Sequence, residues 1–94
     1  MRDLIWDDFR DFVGTIYSVD TPAGPLPFRL DVAEPLADSG RTGGSFRLEL
    51  VGPNDPILPQ AIYPFSGEGV DPFEIFIVPV GQDAGGTRYE AIFY

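Results

Sequence analysis

From residue 15 onward this chain alternates. Apolar and polar side chains exchange places at every residue in one run after another, and a side-chain period of two belongs to one regular backbone, the β-strand. The clearest run is Ser45–Val51, where Phe46, Leu48 and Leu50 share one face and Arg47 and Glu49 the other. Thr15–Asp20 sets Ile16, Ser18 and Asp20 against Thr15, Tyr17 and Val19. Leu26–Glu34 directs Leu26, Phe28, Leu30 and Val32 inward and Pro27, Arg29 and Asp31 outward. Gln60–Phe65 is shorter, and Pro64, which has no N–H to give to a ladder, confines it to an edge or a strand end. Asp71–Val80 carries Phe73, Ile75 and Ile77 on one face and Glu74, Phe76 and Val78 on the other, the largely two-sided apolar pattern of a strand covered twice. Thr87–Tyr94 alternates Tyr89, Ala91 and Phe93 with Arg88, Glu90, Ile92 and Tyr94, and is expected to be paired rather than trailing.

Glycine and proline punctuate these runs. Thr21–Pro25, Gly52–Pro56, Ser66–Gly69 and Gly81–Gly86 hold the residues that turns require, and Ile57–Pro59 continues as an extended segment barred by proline from a central strand. Glu34–Gly44 is the most polar and glycine-rich stretch and is expected to be a mobile loop. Only Met1–Gly14 departs from the two-residue period. Ile5, Phe9, Phe12 and Val13 recur at intervals of three and four, with Asp7 or Asp8 as N-cap and Gly14 as the left-handed stop, which predicts one or two helical turns packing an aromatic face over an open end of the sheet. The expectation is therefore a single all-β domain over residues 1–94: a short helix within 1–14, then an antiparallel sandwich or small barrel of about six strands across 15–94. Phe28, Leu30, Phe46, Leu48, Leu50, Ile75, Ile77, Tyr89, Ala91 and Phe93 are its expected core.

The composition removes much chemistry. There is no histidine, cysteine or lysine among the 94 residues, so Ser-His and Cys-His nucleophile pairs, zinc or haem ligation through those side chains, and Schiff bases are excluded. Six arginines face fifteen acids, a formal charge of -9, which disfavours nucleic acid and anionic lipid surfaces as partners. Apolar stretches are far shorter than the roughly 20 residues of a membrane helix, and the acidic start is unlike a signal peptide. Arg29, Arg47 and Arg88 each precede an acid by two residues (Asp31, Glu49, Glu90), a same-face spacing that reads as solvent-facing ion pairs. Calcium needs only oxygen ligands, but the Asp-x-Asp-x-Asp-Gly spacing is absent, and Asn54-Asp55 and Gln82-Asp83 read as turn residues. Two carboxylates for glycoside hydrolysis would exist by chance among fifteen acids, without room for a deep cleft. No cofactor, metal or catalytic residue is expected.

A sheet built without lysine raises the question of its edges, which soluble proteins commonly guard with that residue. Prolines 53, 56, 59, 64 and 79 offer one guard; an edge occupied by a second copy or a partner strand is the other solution. Trp6, Tyr17, Tyr63 and Tyr94 are the aromatics available for a carbohydrate platform, with core or anchoring roles favoured for Trp6 and Tyr17.

Several motifs resemble a small bacterial family of unknown function. They are Phe9-x-x-Phe12-Val13-Gly14, Phe46-Arg47-Leu48-Glu49-Leu50, and Gly52-Pro53-x-Asp55-Pro56-x-Leu58-Pro59-Gln60-x-x-Tyr63. The ending Phe76-Ile77-Val78-Pro79-Val80-Gly81-x-Asp83-x-x-Gly86-x-x-Tyr89-Glu90-Ala91-Ile92-Phe93 is similar almost position by position. The resemblance brings no catalytic residues and implies an association with phage-tail-collar-like surface proteins. Together these observations predict a non-enzymatic structural or adaptor protein acting by protein–protein contact, through self-assembly or a fibre- or collar-like partner, with Tyr63, Phe76 and Tyr94 as contact residues. A glycan- or peptide-binding module is the alternative.

Overall fold

A computed structural model of the protein describes residues 4–36 and 45–93. After one 3-10 turn at Trp6–Asp8 come six strands: β1 (Ile16–Thr21), β2 (Gly24–Pro35), β3 (Phe46–Gly52), β4 (Ala61–Gly67), β5 (Val70–Asp83) and β6 (Gly86–Phe93). All neighbours are antiparallel, and the sheet closes on itself in the order β1-β2-β3-β6-β5-β4. Both β4-β1-β2-β3 and β3-β6-β5-β4 follow the Greek-key order. Of the two architectures the alternation allowed, the chain adopts the barrel.

Closure answers the edge question in a way the sequence did not show. A barrel has no free edge, so neither guarding residues nor an added strand is required, and both alternatives are replaced by a seam between β4 and β1. That seam is short: Ser18 pairs with Ser66 and Val19 with Phe65. Pro64 lies immediately beyond it, so the residue that cannot donate to a ladder stands inside β4 but where the seam has ended.

The inward rows meet as the alternation requires. Phe28, Leu30, Phe46, Leu48, Leu50, Ile75, Ile77, Tyr89 and Ala91 are buried, joined by Tyr17, Val19, Phe65 and Leu58, while Phe93 packs against this cluster partly exposed. Rings dominate the centre: Phe28 lies 4.9 Å from Tyr89 and 6.1 Å from Phe65, centroid to centroid. Val32 departs from its expected inward place. The β2–β3 register slips between Leu30 and Val32, so Ala33, not Val32, faces Leu48, and Asp31 occupies the extra position.

Two segments stopper the barrel. The β3–β4 connection crosses one end, inserting Leu58 (4% exposed), whose N–H donates to the Tyr89 hydroxyl at 2.8 Å. At the other end Phe9 (2% exposed) sits 5.8 Å from Phe46 and 5.5 Å from Phe73. The helix expected within 1–14 is thus reduced to one 3-10 turn. Asp8 folds back to accept the Ile5 N–H at 2.9 Å, and successive turns end where the Gly14 N–H donates to the Leu30 carbonyl at 2.7 Å. A segment this short has little helical stability of its own, and the burial of Phe9 sets its path. Gly14 does take the expected left-handed conformation, with φ +96°. Phe12 and Val13, expected to share the buried face, are 38% and 51% exposed. The polar stretch 34–44 begins later than its composition suggests, since β2 runs to Pro35; residues 37–44 lie outside the described part of the chain.

Candidate functional site

The outside of the barrel has two unlike sides. On β4 and β5, Ile62 stands directly opposite Phe76, and both are open to solvent, at 63% and 49% exposure. Pro64 and Glu74 form the next pair along, and Val78 follows Phe76 on the outward row, half-buried. Ile92, also exposed, lies on β6 two residues beyond Glu90, the partner of Val78. The two-sided apolar pattern of β5 is therefore real, but the described residues cover it only from within.

The expected contact residues divide. Phe76 is placed outward at the centre of this row. Tyr63 is not: its neighbours in β4 point out while it points in, 7% exposed, its hydroxyl donating to the Pro59 carbonyl at 2.7 Å. Proline at 64 bears on which ladder the strand can join, whereas alternation decides that 63 and 65 face the core. Tyr94 lies outside the described residues. Ile62 was missed because its outward position beside Phe76 depends on the β4–β5 register, which no local pattern encodes.

On β2, β3 and β6 the outer side is an ion-pair lattice. Glu49 and Glu90 are directly opposite across β3–β6, a like-charge pair that needs cations beside it. Arg47 supplies one, reaching Glu34, Glu49 and, at 3.1 Å, Glu90. Donating to the Glu49 and Glu34 carboxylates, its guanidinium holds its proton still more firmly than usual. Arg88 supplies the other, at 3.0 Å from Asp31, 3.4 Å from Glu49 and 3.4 Å from Asp83. The expected two-apart pairs form at Arg29–Asp31 (3.5 Å) and Arg47–Glu49. Arg88 instead takes Asp31, which the bulge presents to it, and leaves Glu90 to Arg47. At the β5–β6 turn the Gly85 N–H, at 2.7 Å, and Arg88 together hold the Asp83 carboxyl below its ordinary value.

A cleft of about 330 Å³ opens at the end stoppered by Phe9, between the N-terminal turns and the β4–β5 turn. Phe9, Tyr17 and Phe73 form its inner wall, Leu4, Phe12, Val70 and Pro72 its flanks, and Asp7, Asp8 and Asp71 lie about its mouth. Burial raises the Tyr17 hydroxyl above its usual pKa, so it stays protonated. Trp6 is tethered nearby, its indole N–H donating to the Ala33 carbonyl at 3.2 Å and its ring 5.6 Å beneath the Arg10 guanidinium. Of the four aromatics offered for a sugar platform, then, Tyr17 and Tyr63 are core, Trp6 is an anchor, and Tyr94 lies outside the described residues.

Among the described residues no group of three or more His, Cys, Asp or Glu side chains is placed to hold a metal ion, and no helix is long and apolar enough to cross a membrane. Comparison with curated proteins and with solved structures gives no match. The resemblance seen in the sequence is resolved by a match over residues 4–93, almost the whole chain, and the protein belongs to the family described as Domain of unknown function (DUF6916).

Proposed function

We propose that this protein is a non-enzymatic structural or adaptor domain that acts by protein–protein contact through the outer side of β4 and β5. The observation that carries the reading is the uncovered Ile62–Phe76 pair on a strand whose two faces are both apolar. A contiguous apolar row on the outside of a small barrel contributes little to the monomer and gains free energy when a second surface removes it from water. The missing histidine, cysteine and lysine support the non-enzymatic part.

Charge selects the partner. Glu68 and Glu74 lie on or beside this side with no ion pair among the described residues, whereas Arg10, Arg29, Arg47 and Arg88 are each already engaged by an acid. A second copy would bring another -9. A polypeptide with apolar residues framed by lysine or arginine fits better. The association that the family resemblance implies, with phage-tail-collar-like surface proteins, suggests the setting, a subunit of an extracellular or phage-like fibre assembly.

The test is a double variant, Ile62→Ser with Phe76→Ser. In gently prepared extract of the source cells the native protein is expected to elute as part of an assembly larger than its own 10.3 kDa. The variant, folded by circular dichroism, is expected to elute alone. Retention of the variant in the same assembly, or a native protein that elutes alone, contradicts the proposal.

A further inference from the structure

The cleft at the Phe9 end combines two features that are separate elsewhere on the molecule. Its inner wall is aromatic: Phe9 and Phe73 meet edge to face at 5.5 Å, and Tyr17 meets Phe73 in the same way at 5.5 Å. Its mouth is acidic. Asp71 makes no ion pair or side-chain hydrogen bond among the described residues, Asp8 accepts the Ile5 N–H, and Asp7 is matched by Arg10 at 3.2 Å. Arg10 leans over the Trp6 ring, and among the described residues no cation lines the cleft. Aromatic faces carry negative charge density that attracts ammonium and guanidinium groups, and carboxylates at the rim add to that attraction without filling the space. At about 330 Å³ the cleft is at the small end of the roughly 300–1,000 Å³ range of ligand sites, a size suited to one side chain and its flanking atoms.

We infer that this cleft binds a cationic side chain, lysine or arginine, presented by a basic segment of a partner polypeptide. The alkyl stem lies against Phe9, Phe12 and Phe73, and the charged head meets Asp71 at the mouth. The occupant is apolar along its length and cationic at its tip, which matches both features at once; a neutral apolar residue would satisfy only the wall, and a hydrated metal ion only the mouth. The inference does not depend on the Ile62–Phe76 side, which carries neither the aromatic wall nor the acidic mouth.

The purified protein, labelled with nitrogen-15, would be titrated with the capped tripeptides Leu-Lys-Leu and Leu-Arg-Leu, and with Leu-Lys-Leu acetylated on the lysine amine. Both cationic peptides should shift the amides of residues 69–73 and of Phe9 and Phe12 saturably, and the acetylated peptide should not. Asp71→Asn should weaken binding about two- to fivefold, as loss of one exposed charge does. Asp20→Asn, which removes an exposed acid at the other end of the barrel, should leave it unchanged. Saturable binding of the acetylated peptide to the same degree would show an apolar cleft only. Equal weakening by Asp20→Asn would show diffuse attraction to an acidic protein, and no saturable shift up to about 10 mM would remove the site. Any of these three results overturns the inference while leaving Ile62 and Phe76 to be judged by their own variant.

Discussion

The two outer sides of this barrel solve the same problem in opposite ways. On β3 and β6 the outward residues Arg47, Glu49, Arg88 and Glu90 are charged, and Arg47 and Arg88 tie together acids from β2, β3, β5 and β6. On β4 and β5 the outward row is Ile62 against Phe76, with Pro64 and Val78 beside it. The inner sides of both are alike, packed against one aromatic core. The difference teaches that similar inner rows can carry unlike outer sides: one is satisfied by ion pairs within the molecule, and the other leaves Ile62 and Phe76 in water.

Substitutions sharpen the contrast, beginning with the most damaging. On the ion-paired side the backbones of β3 and β6 press together at glycines. A Cβ on Gly86, whose φ is +139°, would lie 2.4 Å from the Gly52 carbonyl oxygen, and one on Gly52 would lie 2.7 Å from the Phe28 ring. Gly86→Ala should cost about 3 kcal/mol or more, combining an unfavourable φ with overpacking; denaturant titration would measure it, and a loss under about 1 kcal/mol would show that this side is looser than described.

Arg47→Met should cost about 1–2 kcal/mol, because Glu49 and Glu90 then face each other without the cation between them. Added salt should recover part of that loss by screening the two acids, whereas a loss insensitive to salt would point to packing of the arginine stem. Serine at both 62 and 76 should change monomer stability by less than about 1 kcal/mol, since both side chains are largely in water already. A loss equal to that of a core truncation, about 3–5 kcal/mol, would erase the contrast between the two sides.

The smallest expected effect is a titration. The Gly85 N–H and Arg88 favour ionised Asp83, so its folded pKa lies below its unfolded one. Its contribution is therefore complete above the ordinary aspartate value near 3.9 and is lost as pH falls below that toward the folded pKa. A carbon-detected titration should find the Asp83 midpoint below the ordinary aspartate value, and Asp83→Asn should remove the acid-induced shift at Gly85. A midpoint at or above the ordinary aspartate value would mean that the turn does not hold the carboxylate.

The alternation made the inner rows legible because burial is imposed residue by residue. Phe46, Leu48 and Leu50, and Ile75 and Ile77, fall inward as their spacing requires. Pairing was not legible, for it depends on where a strand far away in sequence is placed. The closing β4–β1 contact, the opposition of Ile62 and Phe76, and the capture of Asp31 by Arg88 all arise at that level. The bulge at Asp31 displaced Val32 because one inserted residue inverts every side chain after it, a shift with no signature in polarity. Tyr63, expected as a contact residue, lies inward because it shares the parity of Phe65, and its hydroxyl finds the Pro59 carbonyl. The N-terminal segment shows the reverse, a helical spacing overridden by the need to drive Phe9 into an open barrel end.

The central claim is that the β4–β5 side meets a partner polypeptide and the ion-paired side does not. A photo-crosslinking amino acid placed at position 76 or, in a second protein, at position 34 tests it directly in the source cells, with crosslinked products identified by mass spectrometry. Position 76 should yield one discrete adduct with a polypeptide rich in lysine or arginine, and position 34 should yield none. Equal yields from the two positions, or no adduct at 76, would contradict the account; an adduct made only of two copies of this chain would contradict the choice of partner.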